Sequence, residues 1–493
     1  MSNHLNQIKK ANEAIALLKE EVSEHQWRLQ YHVMPPANWM NDPNGFSFYN
    51  GEYHLFYQHH PFGPEWGPMH WGHVKSTDLV NWEHLPIALA PSEEYDKDGC
   101  FSGSAIEKDG QLFLIYTGNV WIEGNLDEDL KQVQAVAVSE DGIHFTKLNA
   151  NPIITETPEG DINTFHFRDP KVWKHKESYY MVLGSKTKNN RGQVLLYQSD
   201  DLLNWKFISV MAKGEGNFGF MWECPDLFEL NGKDVLVMSP QGVNPEGNNY
   251  HNLHQSGYVM GQLNYQTGHL DHGPFYMLDH GFDFYAPQTM IDDRGRRILI
   301  AWMDMWESDM PTQKYNYSGA MTIPRIVIMK DDKLYTEPVP ELQSLRKDEV
   351  TYQDVKVTGE KTLDHVHGEC IELDLMIDAL ESTSFGIKLR VDETAGQETV
   401  LRFNKQAGTV ILDRNQSGKG PGGTRETEVD FLDKIKLQIF IDTSSIEVFI
   451  NNGEKVMSAR VFPSENAHGI TFFTDKQISI DYIQKWELQQ SIK

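Results

Sequence analysis

Short apolar runs recur along the first two thirds of the chain, about sixty residues apart. Each run is short, is rich in β-branched and aromatic residues, and is bounded by Gly, Pro, Asn or Asp, which is typical of short strands. The runs are HLFY (54–57), LFLIY (112–116), YYMVL (179–183), VLVM (235–238) and ILIAW (298–302). This repetition indicates a fold built from copies of one β unit.

A small turn cluster precedes each run, and the clusters align with one another. They are Asn41-Asp42-Pro43, Phe101-Ser102-Gly103, Arg168-Asp169-Pro170, Glu223-Cys224-Pro225 and Tyr285-Ala286-Pro287. The first three units share a second motif, Ser-x-Asp-x-x-x-aromatic, at 76–82, 139–145 and 199–205, which we interpret as the outer hairpin of each unit. The units predict a five-bladed β-propeller, which avoids long open edges by radial repetition. Unrelated hairpins in a sandwich are the alternative.

The pattern changes at both ends of this repeat. Residues 1–30 carry cations, acids and Ala, Ile and Leu at helical spacing, which predicts a short amphipathic N-terminal helix. After about residue 340 a polar segment with two prolines indicates a linker, and alternating strands follow with no helix between them, as in a β-sandwich. We therefore predict an all-β protein with a helical extension (1–30), a propeller catalytic domain (31–340), a linker (341–354) and a C-terminal β-sandwich (355–493).

The composition of the chain argues against several classes of protein. The chain has 44 Lys+Arg against 71 Asp+Glu, and this negative balance disfavours nucleic acid and anionic membranes as partners. No apolar run approaches the roughly 18 residues of a membrane span. The cysteines, Cys100, Cys224 and Cys370, lie far apart without CxxC spacing, which argues against a disulfide framework and a zinc site. With no apolar signal region near the N-terminus, we expect a cytoplasmic protein.

Acidic residues in three of the aligned turn clusters, Asp42, Asp169 and Glu223, are the candidate catalytic groups. Cleavage of a glycosidic bond needs one carboxyl group that attacks or stabilises the sugar cation and a second, protonated, that releases the leaving oxygen. Equivalent positions of successive blades converge near the propeller axis, so we expect these acids to face one cavity. Each alone could be an ordinary solvated residue, but their matching positions favour a shared site.

The neighbours of each acid suggest its role. Asp42 lies between an asparagine and a proline turn, where amide donors favour the ionised form that a nucleophile needs. Glu223 has aromatic and sulfur neighbours, and Asp226 follows closely, so desolvation and repulsion would favour the protonated form of an acid/base. Asp169 follows Arg168, whose guanidinium would hold it ionised in a stabilising role.

Aromatic and amide side chains near these clusters suit sugar rings, which bind against flat apolar surfaces with polar groups around them. The segment QHHPFGPEWG (58–67) offers both kinds of side chain, and Trp302 has the same offset from its cluster as Gln58 has from Asp42. Nearby histidines lack the spacing of metal ligands, so we predict no metal and no cofactor. These histidines are His59, His60, His70 and His73.

Motifs along nearly the whole chain resemble glycoside hydrolase family 32, the β-fructofuranosidases, which include invertases, sucrose-6-phosphate hydrolases, inulinases and levanases. The motifs are WMNDPNG (39–45), FSGS (101–104), FRDP (167–170), WECPD (222–226) and DTSSIEVFINNG (442–453). The resemblance implies a propeller joined to a sandwich and retaining hydrolysis of terminal β-D-fructofuranosides through a fructosyl-enzyme intermediate. It makes Asp42 the nucleophile, Glu223 the acid/base and Asp169 the transition-state stabiliser. The candidate substrate contacts are Trp39, Met40, Asn41, Gln58, Trp66, Phe101, Ser102, Arg168, Asp226, Tyr285 and Trp302.

Within that family, the N-terminal helix without a leader looks most like intracellular bacterial sucrose-6-phosphate hydrolases, so a phosphate contact is expected. Lys186, Lys188 and Arg191 form the one dense basic group early in the chain; a solvated loop is the alternative. A fructosyltransferase, a fructan hydrolase and a non-catalytic sugar-binding propeller are the competing hypotheses. We expect a small sugar as the ligand, and a sandwich that covers apolar propeller surface and could support self-association.

Overall fold

The computed structural model describes residues 2–122, 128–431 and 434–492. Two helices, α1 (Asn3–Ala16) and α2 (Lys19–Ser23), begin the chain, as the helical spacing predicts. Ser2 caps α1, and Ala11 and Ile15 on its inner face pack against Ile87 of the first sheet. None of the helices in the described part of the chain is long and apolar enough to cross a membrane.

Five small sheets follow in the described residues. The first contains β1 (Asn38–Tyr49), β2 (Glu52–His60), β3 (His70–Ser76) and β4 (Trp82–Leu89). The second contains β5 (Cys100–Lys108), β6 (Gln111–Trp121), β7 (Leu130–Ser139) and β8 (Thr146–Lys147). The third contains β9 (Phe167–His175), β10 (Ser178–Lys186), β11 (Gly192–Ser199) and β12 (Lys206–Lys213).

The last two sheets close the ring. The fourth contains β13 (Met221–Leu230), β14 (Lys233–Gln241), β15 (Gly257–Asn264), β16 (His269–His272) and β17 (Tyr276–Met277). The fifth contains β18 (Tyr285–Ile291), β19 (Arg297–Trp302), β21 (Arg325–Lys330) and β22 (Lys333–Pro338), while β20 (Tyr317–Ser318) pairs in parallel with β1. Contacts run from β1 to β5, β9, β13, β18 and back to β1. The predicted five-bladed propeller is confirmed.

Each blade begins with its innermost strand, and the aligned turn clusters occupy the same place on all five. The ladder between the first and second strands is irregular at each cluster, for example between Met40 and Pro43 and between Glu223 and Asp226. The Ser-x-Asp motif joins the third and fourth strands of its blade, as interpreted. In the first blade Asp78 Oδ1 accepts hydrogen bonds from the backbone N–H groups of Val80 (3.0 Å) and Asn81 (2.7 Å).

A second domain follows a 3₁₀-helix, Pro340–Leu345. Its strands are β23 (Arg346–Lys361), β24 (Ile371–Asp378), β25 (Ser384–Asp392), β26 (Gln397–Asn404), β27 (Thr409–Gln416), β28 (Thr424–Glu428), β29 (Ile435–Asp442), β30 (Ser445–Ile450), β31 (Lys455–Arg460) and β32 (Gly469–Leu488). Strand β32 pairs with β25 through its first residues and with β24 through its later ones, so one continuous sheet supplies both layers. Buried Ile, Leu, Val and Phe fill the space between them.

The segment 341–354 is not a free linker. It contains most of the 3₁₀-helix and the first half of β23, which pairs with β32 from Arg346 onwards. Most side chains of β23 are exposed. The strand is therefore as polar in sequence as a linker would be. The sandwich packs on the propeller through Phe440, Phe449 and Val456, which join the apolar core between the first and fifth blades.

Candidate active site

The turn clusters of the first four inner strands line a cavity of about 220 Å³, here called the carboxylate cavity. All three predicted acids lie in its wall, although they come from positions 42, 169 and 223 of the chain. The residues that line it are Asn41, Asp42, Gln58, Trp66, Phe101, Ser102, Trp121, Leu130, Gln132, His166, Arg168, Asp169, Glu223, Gln241 and Trp306. Propeller geometry therefore brings the acids together, as expected from their alignment.

Asp42, on β1, is held by donors from two other blades. Ser102 Oγ donates to its Oδ2 at 2.8 Å, and the Cys224 thiol donates to the same oxygen at 3.4 Å. Burial, with a smaller effect from the charge of Glu223, raises the pKa of Asp42 to about 6 against these donors and Asn41. The expectation that local donors would dominate is wrong, because burial by the neighbouring blades outweighs them.

Glu223, on β13, has both carboxylate oxygens engaged. Arg168 donates to Oε1 through Nη2 (2.8 Å) and Nε (3.1 Å), and the Tyr285 hydroxyl donates to Oε2 at 2.6 Å. Burial and the charge of Glu223 raise the pKa of Tyr285 well above its usual value, so this phenol stays a donor. The predicted pairing of Arg168 with Asp169 is secondary, since Arg168 Nε lies 3.9 Å from Asp169 Oδ2.

Asp169, on β9, lies in a left-handed backbone conformation (φ 63°) directly before a proline. Cys224 and Ala286 take the same conformation, at φ 48° and 49°, before the prolines of their own clusters. Such backbone is strained for residues other than glycine and concentrates at functional sites. Here it turns Asp169 so that its Oδ2 accepts the backbone N–H of Cys224 at 2.9 Å.

The pKa of Asp169 is also raised, to about 7. Burial is the main cause, Arg168 opposes it, and the charges of Glu223 and Asp42 add to it. Ionising all three carboxyl groups in one buried cavity costs much free energy, because like charges repel strongly where water is excluded. Near neutral pH the cavity therefore contains both protonated and ionised carboxyl groups, which can act as acid and base.

Three tryptophans, Trp66, Trp121 and Trp306, line the cavity, and Trp39 and Trp302 pack behind Trp306. Trp39 stacks on Trp306 with ring centroids 6.1 Å apart and meets the edge of Trp302 at 5.8 Å, while its Nε1 donates to Asn41 Oδ1 at 2.7 Å. On the other side the half-exposed Trp66 ring lies 6.0 Å from Phe101 in an edge-to-face arrangement. These faces suit the apolar side of a sugar ring.

Some predicted contacts do not reach the cavity. Met40 packs in the core of the first blade, because alternate residues of a strand face opposite sides. Asp226 lies deeper along the axis, where its carboxylate pairs with Lys171 at 2.9 Å and accepts the Thr289 backbone N–H at 2.6 Å. It therefore does not act on Glu223 as expected. Tyr285 and Trp302 are fully buried behind the wall, and Trp39 is also buried there; Tyr285 donates a hydrogen bond to Glu223, and Trp302 packs against Trp39.

Other residues of the cavity are missing from the sequence-based set. His166 lies directly before β9 and two residues before Arg168, and this closeness in sequence is the one signal that could have identified it. Trp121 follows the second apolar run at the same end of its blade. The contact of Cys224 with Asp42 crosses blades and has no local signal.

The four clustered histidines make hydrogen bonds instead of facing a common point. His59, His60 and His70 bond to the backbone carbonyls of Trp39, Glu65 and Pro68, and His73 bonds to His54 at 3.1 Å. Among the residues that the structure describes, no group of three or more His, Cys, Asp or Glu side chains could hold a metal ion.

Comparisons with known proteins cover both domains. The profile of "Glycosyl hydrolases family 32 N-terminal domain" matches residues 32–338, and "Glycosyl hydrolases family 32 C terminal" matches 341–487. Sucrose-6-phosphate hydrolase of Escherichia coli is 42% identical over 91% of this chain and 92% of that protein, and raffinose invertase of the same species is 42% identical over 91% and 94%. The structure of a Bombyx mori GH32 β-fructofuranosidase mutant in complex with sucrose has a TM-score of 0.87 and 36% identity over 98% of both chains.

Proposed function

The chain belongs to glycoside hydrolase family 32, and from that membership we propose that it hydrolyses terminal β-D-fructofuranosides with retention, acting on sucrose 6-phosphate, on sucrose or on both. The observation that carries this proposal is the placement of Asp42 and Glu223 in the wall of one small cavity, each held by its own set of donors. Two carboxyl groups in different surroundings are what a retaining glycosidase needs.

Asp42 is the nucleophile in this proposal. Its Oδ2 is engaged by Ser102 and Cys224, whereas Oδ1 is buried with no hydrogen-bond partner among the described residues. Attack by the Asp42 carboxylate on the anomeric carbon forms the fructosyl-enzyme ester as the bond to the leaving oxygen breaks. The donors on Oδ2 keep the carboxylate in one orientation during this step.

Glu223 supplies the proton. Protonated, it delivers that proton to the glycosidic oxygen and releases the leaving sugar; ionised, it then takes a proton from the water that cleaves the ester. Arg168 and Tyr285 hold its two oxygens in place throughout. Asp169, fixed by the Cys224 backbone N–H, is placed to accept hydrogen bonds from fructosyl hydroxyls and to stabilise the positive charge of the transition state.

The third blade carries the candidate phosphate contacts. Strand β10 pairs Gly184 with Arg168, so the following turn, 187–191, extends beyond the end of the blade that carries the acids. Lys188 and Arg191 are exposed there, and the Lys186 ammonium lies 5.8 Å from the ring of the half-exposed Phe220. A phosphate on the leaving sugar would meet this positive group, which supports sucrose 6-phosphate as a substrate.

Arg191→Ala should lower kcat/KM for sucrose 6-phosphate about tenfold or more and leave that for sucrose nearly unchanged, because a hydrogen bond to a charged group is worth about 1.5–3 kcal/mol. Both substrates are assayed at fixed ionic strength. Lys206→Ala, which removes the same charge at the opposite end of the blade, is the control and should affect neither. An equal loss on both substrates would remove the phosphate role.

A panel of sucrose, sucrose 6-phosphate, inulin and levan tests the function as a whole. Proton NMR of the first turnover should show β-fructofuranose before it mutarotates, since two displacements restore the original configuration. Initial α-fructofuranose would contradict the proposed mechanism, and absence of hydrolysis of all four would contradict the proposed substrate class. The cytoplasmic location and self-association stay predictions.

The pH profile tests the state of Asp42. As the pH falls below about 7, kcat/KM for sucrose should decrease, first because Asp169 takes up a proton and then, near pH 6, because the buried Asp42 does so and ceases to be a nucleophile. Ser102→Ala removes a donor that favours the carboxylate, so the pKa of Asp42 should rise and the acid limb should move to higher pH by up to about one unit. Ser47→Ala, on the same strand as Asp42 but bonded to the Gly45 carbonyl, should leave the limb in place. A limb that moves to lower pH in Ser102→Ala would mean that another group controls it.

A further inference from the structure

His166 occupies the wall of the carboxylate cavity and touches the arginine that binds Glu223. Its side chain is almost fully buried, and its Nδ1 lies 2.7 Å from Arg168 Nη1. We propose that His166 is a positioning residue that keeps Arg168 directed at Glu223 and so supports proton transfer to the leaving group. This inference rests on the acid/base role proposed above for Glu223.

The backbone on both sides of His166 is fixed before any substrate binds. Asn163 Oδ1 accepts the N–H groups of Phe165 (2.9 Å) and His166 (3.3 Å). The next residue, Phe167, donates its N–H to Gln132 Oε1 at 2.9 Å, and its carbonyl accepts Gln134 Nε2 at 2.8 Å. The imidazole therefore sits on a rigid support, which is what a residue needs in order to orient another.

The contact with Arg168 also fixes the protonation of the ring. A guanidinium carries only donors, so Nδ1 of His166 must present its lone pair. The imidazole is then neutral with its proton on Nε2, because a proton on Nδ1 would set two N–H groups against each other. His166 acts in this contact as an acceptor without charge, which orients the guanidinium and leaves its positive charge to Glu223.

Three groups compete for the donors of Arg168. Glu223 Oε1 accepts hydrogen bonds from Nε and Nη2, and His166 Nδ1 accepts one from Nη1. Asp169 Oδ2 lies 3.9 Å from Nε. Without an acceptor at Nη1, the guanidinium can turn towards Asp169 and share its charge between two acids. His166 prevents that turn, so the effect of its loss should appear in the step that depends on Glu223.

His166→Leu should lower kcat on sucrose about 10- to 100-fold, the loss typical when a residue that orients a functional group is removed, with a smaller change in KM. On p-nitrophenyl β-D-fructofuranoside, whose phenolate leaves without a proton, the loss should be several times smaller. His166→Asn places an oxygen acceptor at the same number of bonds from Cα as Nδ1, so it should recover most of the activity. Equal losses on both substrates, or no recovery in His166→Asn, would overturn the proposal.

A Glu223→Gln background tests the positioning role of His166 separately from the acid/base role of Glu223. If His166 acts through Glu223, His166→Leu should cause no further loss on the p-nitrophenyl substrate in that background, because the two changes affect one step. Additive losses would overturn the positioning role. If His166→Leu folds poorly, the comparison is repeated with His166→Ala, which also removes the acceptor. If instead Glu223→Gln itself leaves sucrose hydrolysis intact, it is the proposed acid/base role of Glu223 that fails.

Discussion

Asp42→Asn should lower kcat on sucrose by about ten-thousand-fold or more, while sucrose still binds with similar affinity. An amide at this position cannot form the fructosyl ester, so the covalent route is closed, and losses of this order accompany removal of a catalytic nucleophile. The amide retains the shape of the carboxylate, and the tryptophan walls and Arg168 remain in place to hold the sugar. Single-turnover kinetics and calorimetric titration with sucrose measure the two quantities separately.

The same variant should be more stable than the wild type at neutral pH, which excludes unfolding as the cause of its inactivity. The pKa of Asp42 is raised in the folded protein from 3.8 to about 6, so ionising it opposes folding by up to about 3 kcal/mol. This cost is complete above pH 6 and vanishes below the unfolded pKa near 4. The gain in Tm should therefore be largest at pH 7 and shrink as the pH falls from 6 to 4.

Asp109→Asn is the matched control, since Asp109 is an exposed acid on the turn between β5 and β6. Its conformation has positive φ, which asparagine tolerates, so activity and stability should both be unchanged. Hydrolysis at the wild-type rate in Asp42→Asn would rule out the proposed nucleophile. Loss of sucrose binding together with turnover would show that Asp42 serves mainly to hold the substrate.

The propeller could be predicted from the sequence because each blade repeats the same short sequence patterns. Each blade carries a turn cluster and an apolar run at a fixed offset, and the Ser-x-Asp turns of three blades satisfy their own backbone locally. The first half of strand β23 was predicted as a linker because its side chains are mostly exposed and polar, and only Val350 and Tyr352 in it face the core. Polarity alone does not distinguish such a strand from a linker.

The candidate acids were also predictable, since they stand at equivalent places in the repeat, but their interactions were not. Arg168 is adjacent in sequence to Asp169, yet the left-handed backbone at Asp169 turns that side chain away, and the guanidinium reaches Glu223 in the next blade. Burial of Asp42 likewise comes from other blades. Contacts and desolvation between blades are properties of the closed ring, so a single blade's sequence carries no signal for them.

Glu223→Ala should separate the two chemical roles of the cavity. On sucrose, whose leaving alkoxide needs a proton, kcat should fall about 100- to 10,000-fold, the usual contribution of a general acid. On p-nitrophenyl β-D-fructofuranoside the first step needs no acid, so the ester should form at nearly the wild-type rate and accumulate, because no base remains to activate water. A burst of p-nitrophenol equal to the enzyme concentration, followed by slow turnover, is the expected result in stopped-flow measurements.

Added azide sharpens this test, because a small anionic nucleophile needs no base and fits the space that the shortened side chain leaves. It should speed the second step in Glu223→Ala and yield β-fructofuranosyl azide, whereas Asp42→Asn should form no such product. Glu215→Ala, which removes an exposed acid shortly before β13, should behave as the wild type on both substrates. Equal losses on the two substrates in Glu223→Ala, with no burst and no effect of azide, would mean that Glu223 holds Arg168 and Tyr285 in place instead of moving a proton. The acid/base role would then have to pass to Asp169, whose pKa is raised to about 7 by burial in the same cavity.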